Sequence, residues 1–95
     1  LNQKSYQTVI EQTDMSMGNA TKGKEIFVNR IKFYCGISDD KFLPIHTQDE
    51  WEAIAQAGKV KEEILKICPK LKDIYKDKWS ADLYQFVYEY ASDSG

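Results

Sequence analysis

No stretch of this chain approaches the roughly 18 consecutive apolar residues that a membrane-spanning helix needs, so no span is expected. Histidine occurs once and cysteine twice, which leaves no ligand set with the spacing of a metal site. Charge of neither sign dominates. The net charge is −2, whereas a nucleic-acid binder usually shows a concentrated basic excess; that class is not expected here. Internal repeats, low-complexity tracts and linkers are missing too, as is any constellation of nucleophile, base and oxyanion donor. What is present is 95 residues, 42% apolar and 13% aromatic, enough for one domain with a modest core and too much for a disordered chain.

Residues 1–18 read as an N-terminal arm and 19–95 as a single helical domain. In the arm, Tyr6, Val9 and Ile10 have helical spacing, yet the β-branched run Thr8-Val9-Ile10 would equally suit a short strand. The spacing predicts a first firm helix from about Thr21 to Tyr34, since Gly23, Phe27, Ile31 and Tyr34 recur on one face. Gly36 can close it in the left-handed conformation. A loop through Asp39, Asp40 and Pro44 follows. Thr47-Gln48-Asp49-Glu50 is a capping box, with His46 and Trp51 placed to form a hydrophobic staple across it. Trp51, Ile54 and Ala55 give a stripe that ends at Gly58. Val60, Ile64, Leu65 and Cys68 form a third face, stopped by Pro69. Leu71, Ile74 and Tyr75 can anchor one further turn. The last helix is expected to begin with Ser80 as N-cap, and Leu83, Phe86, Val87 and Tyr90 follow its core spacing. Tyr88 should lie off that face. The expected class is all-α, four to five short helices with long connections.

Three features could carry chemistry. His46 could ligate a metal or haem, or serve only as a residue before a helix cap. Cys35 and Cys68, 33 positions apart, suit either one disulfide in an oxidising compartment or two buried thiols; spacing alone leaves both open. A Cys–His catalytic pair has nothing to orient it, and the C-terminal end of a helix disfavours a Cys35 thiolate. Residues 59–78 hold seven lysines against four acids, either a docking face for an acidic partner or the solvated side of short helices.

The segment Lys22-Gly23-Lys24-Glu25-Ile26-Phe27-Val28 resembles the N-terminal helix of class I cytochromes c. Ala81-Asp82-Leu83-Tyr84-Gln85-Phe86-Val87 resembles that family's C-terminal helix. The stretches His46-Thr47-Gln48-Asp49-Glu50-Trp51 and Tyr88-Glu89-Tyr90-Ala91-Ser92-Asp93-Ser94 are similar to small exported bacterial proteins of cytochrome-c-like type. The resemblance implies a cytochrome-c-like fold in which terminal helices cross at Gly23, Phe27, Leu83 and Phe86. It also implies a periplasmic or secreted protein and, with it, a Cys35–Cys68 disulfide; the chain opens on Leu1 rather than Met, as it would after loss of a leader. The departure is at the haem motif. Where Cys-x-x-Cys-His is required, this chain has Ile31, Tyr34 and Cys35, so covalent haem is excluded by residue identity. The distal methionine is missing as well, because Met15 and Met17 precede the first helix. No cofactor is therefore expected, with non-covalent haem on His46 as the alternative. Phe33, Tyr34, Trp51, Trp79 and Tyr84 are expected to fill the space a haem would occupy. The function this implies is non-enzymatic binding of an unidentified protein partner. Non-covalent haem electron transfer and thiol–disulfide exchange through Cys35 and Cys68 are the alternatives, and an enzyme has the least support.

Overall fold

The computed structural model describes residues 18–91, and among them there are helices and no strands. The tyrosine and β-branched run of the N-terminal arm lies outside the described residues. Gly18, the last residue assigned to the arm, is placed hard against the last helix: a Cβ there would lie 2.0 Å from the Ala81 carbonyl oxygen.

Helix α1 is continuous over residues 20–35, but it changes gauge. Ala20–Ile26 is α-helical, Phe27–Lys32 is π-helical and Phe33–Cys35 is α-helical again. Asn19 starts it, its side chain accepting from the Lys22 amide at 2.9 Å. The wide turn suits the spacing of the inward residues. Gly23, Phe27, Ile31 and Cys35 are spaced by fours, and in a pure α-helix each such step drifts about 40° around the axis. A π turn takes up that drift. It keeps Gly23, Phe27 and Ile31 buried and brings the half-buried Cys35 inward. This corrects the expected face, which ended on Tyr34. Tyr34 is 38% exposed and Phe33 75%, so neither fills the interior.

The expected loop over 39–44 is instead helix α2, Asp39–Phe42, with a 3-10 turn over Leu43–Ile45. Asp39 and Asp40 suit the positive end of α2, and Ser38 Oγ bonds Asp40 Oδ1. Its product is Phe42, fully buried. Helix α3, Gln48–Gln56, starts on the capping box: Thr47 Oγ1 accepts from the Glu50 amide at 3.1 Å and Glu50 Oε1 accepts from the Thr47 amide at 2.9 Å. Gly58, at φ +71°, turns the chain into α4, Val60–Ile67. A 3-10 turn over Pro69–Leu71 follows.

Helix α5 spans Trp79–Tyr90, and Ser80 is not its cap. Turn hydrogen bonds from the Trp79 and Ser80 amides to Lys76 and Asp77 carbonyls lead into it. The Ser80 hydroxyl is buried against Tyr75, with the two oxygens 2.7 Å apart. Burial pushes the Tyr75 phenol up to about 12. Tyr90, expected in the core, is 51% exposed and rests on Phe86 with ring centroids 5.5 Å apart. Tyr88 is half-buried, and its carbonyl accepts from Gln48 Nε2 at 2.7 Å.

The most extensive helix–helix contact joins α1 to α5. A Cβ on Gly23 would lie 2.1 Å from the Asp82 carbonyl oxygen and 2.7 Å from the Phe86 Cβ. Only glycine permits so close an approach. The Asn19 amide donates to Asp82 Oδ1 at 2.9 Å, tying the start of α1 to the same place. Phe27 and Leu83 are buried beside this contact.

Candidate functional site

A file of rings crosses the interior and ends at the surface on His46. Phe86, Phe27, Phe42, Trp51 and His46 are neighbours in that order, with centroid separations of 5.6, 4.9, 6.2 and 4.9 Å. The His46 ring meets Trp51 edge-on, so the predicted staple forms. Its nitrogens face two carboxylates: Nε2 lies 2.7 Å from Glu63 Oε2 and Nδ1 3.4 Å from Glu50 Oε1. Glu50 belongs to the capping box of α3 and Glu63 to α4, so this imidazole fastens the two helices together. The hydrogen bond from His46 holds the Glu63 carboxyl below its ordinary range, against the opposing effect of burial and with help from Lys66 at 3.3 Å. Sequence reasoning singled out His46 and missed Glu63, which is 17 residues away and carries no local signal.

At the other end of α1 and α4, Cys35 and Cys68 are joined in a disulfide with Cα atoms 5.8 Å apart. Cys68 is fully buried. Neither sulfur is a thiol, so a Cys–His pair has no nucleophile. Phe33 and Tyr34 adjoin the disulfide on the outside, edge to face at 5.2 Å. Arg30, one turn earlier, lies over the Trp79 ring at 5.8 Å.

Ile31 is buried in the core, Tyr34 points outward and Cys35 is spent in the disulfide. Both His46 nitrogens already face carboxylates. The core is packed with Phe27, Phe42, Trp51 and Leu83, so the residues that fill it are only in part those expected: Trp51 and Trp79 are buried, while Phe33 and Tyr34 are not. A surface groove between α3 and α4, lined by Ala53, Ile54, Ala57, Lys59, Glu63 and Lys66, offers no imidazole, thiol or thioether. Among the described residues, no group of three or more His, Cys, Asp and Glu side chains is arranged to hold a metal ion. One buried side-chain polar atom there, Trp51 Nε1, has no hydrogen-bond partner.

In the lysine-rich stretch 59–78, Lys59, Lys61 and Lys66 face the acids Glu62, Asp77 and Glu63 at 3.7, 3.5 and 3.3 Å. Those three are engaged within the molecule. No helix among the described residues is long and apolar enough to cross a membrane.

No protein-family model matches this chain, and neither a curated protein nor a solved structure matches it significantly.

Proposed function

We propose that this chain is a non-enzymatic protein-binding domain, a cytochrome-c-like helical shell without haem that works in the periplasm or after secretion. The observation that carries the reading is Phe33, 75% exposed beside Tyr34 on a helix whose other aromatic, Phe27, is buried. Leaving a phenylalanine in water forgoes about 1.5–3 kcal/mol of burial, and aromatic anchors of this kind dominate protein interfaces. Export is supported by the Cys35–Cys68 bond, because disulfides persist mainly in oxidising compartments. Full burial of Cys68 favours a structural bond over a switchable one. The cytochrome-like reading draws on the close α1–α5 approach at Gly23. The haem-less reading draws on residues 31, 34 and 35 and on the engaged His46.

A photo-crosslinking phenylalanine analogue placed at position 33 in the native host tests it. A discrete adduct with one protein is expected from position 33 and none from position 56, on the exposed end of α3. Equal, diffuse labelling from both positions would remove the proposal.

A further inference from the structure

The protein-binding reading, on which the following rests, leaves the partner's chemistry open. The disulfide gathers two segments at one pole of the molecule, because Cys35 ends α1 and Cys68 caps α4. Segments 30–36 and 66–72 together contain five cations (Arg30, Lys32, Lys66, Lys70 and Lys72) and no acid, in a chain of net charge −2. All five are exposed.

Part of this placement has an internal reason. Lys32 and Lys66 stand in the last turns of helical segments, where cations complement the helix dipole. Arg30 covers Trp79, and Lys66 pairs with Glu63. Lys70 likewise belongs to the last turn of the 3-10 segment Pro69–Leu71, and Lys72 follows just after it. Among the described residues no carboxylate forms an ion pair with Lys32, Lys70 or Lys72. The same pole carries Phe33, the most exposed large hydrophobic side chain described.

We infer that this pole docks an acidic protein segment, one rich in Asp and Glu that also presents an apolar cleft or side chain to Phe33. The aromatic ring supplies the desolvated anchor and the unpaired lysines supply orientation and encounter rate. An anionic lipid surface shares the charge requirement. It is disfavoured because Phe33 and Tyr34 expose less hydrocarbon than a myristoyl chain, which by itself anchors only marginally.

The test pans the full chain, disulfide intact, against a display library of short random peptides. Peptides enriched in Asp and Glu around an aromatic or aliphatic residue are expected. Their binding should weaken as salt rises. It should fall about tenfold or more in Phe33→Ser and in the double variant Lys70→Glu/Lys72→Glu, and stay unchanged in Val28→Ser, which alters an exposed apolar residue off the pole. All three variants should melt like the parent, so lost binding cannot be ascribed to unfolding. Neutral or basic selected peptides, or binding indifferent to Phe33→Ser, would overturn the acidic assignment and leave the protein-binding reading standing. No selected peptide also overturns it, and the crosslink from position 33 then decides the wider reading separately. Phosphatidylglycerol vesicles form a second arm: sedimentation with them that is lost in the same variants, without peptide selection, would replace the protein partner with a membrane surface.

Discussion

Two phenylalanines show how far identical residues diverge with placement. Phe42 is fully buried between Phe27 and Trp51, and Phe42→Ala should cost about 3–5 kcal/mol in denaturant unfolding. Phe33→Ala should change stability by no more than about 0.5 kcal/mol, since its side chain lies mostly in solvent. Glu63 makes a prediction in pH. Its carboxyl is held below 4.5 in the folded protein, chiefly by His46. A depressed folded value means its stabilisation is present above about pH 4.5 and is lost as pH falls through the lower, folded value. Glu63→Gln should therefore lower the melting temperature near neutrality and flatten its acid limb. A parallel downward shift at every pH would show that the carboxylate is not the origin. Neither placement could be seen in the sequence. Phe42 follows Asp39, Asp40 and Lys41 in a segment too short to show a helical period, and Glu63 looks like any acid on a helix.

At the scale of elements, signals confined to one turn were readable and those set by tertiary contact were not. The capping box at Thr47 and Glu50 forms as its four residues dictate, because both bonds lie within a single turn. The stop at Pro69 is equally local. Helix α1 was readable as a helix with Gly23, Phe27 and Ile31 facing inward. Its π-helical stretch was not, since only packing against α5 decides whether a spacing of four drifts or is straightened. That single change of gauge puts Cys35 in the place expected of Tyr34. Ser80 misled for a related reason: its hydroxyl bonds Tyr75 instead of a backbone amide. The close approach at Gly23 gives the sharpest test at this scale. Alanine has the better helix propensity by about 1 kcal/mol, yet its Cβ would meet the Asp82 carbonyl oxygen at 2.1 Å, and backbone cannot swing aside. Gly23→Ala should destabilise by about 2 kcal/mol or more by differential scanning calorimetry. A neutral or stabilising result would mean that α1 and α5 are further apart.

For the whole molecule, the disulfide and the ring file belong to one core. Closing a loop of 33 residues is worth about 3–4 kcal/mol through the unfolded chain, a large part of the stability a domain this small can have. Reduction, or replacement of Cys35 and Cys68 by serine, should lower the melting temperature sharply. An unchanged melt would show that the bond constrains nothing. We propose that the interior needs no cofactor, since aromatic side chains occupy it, the two sulfurs are bonded to each other, and the His46 nitrogens face Glu50 and Glu63. Titration of the purified protein with haemin, followed in the Soret region, tests this most directly. No saturable spectrum and no change on His46→Ala are expected. A stoichiometric Soret band that His46→Ala abolishes would contradict the proposal and make this a haem protein.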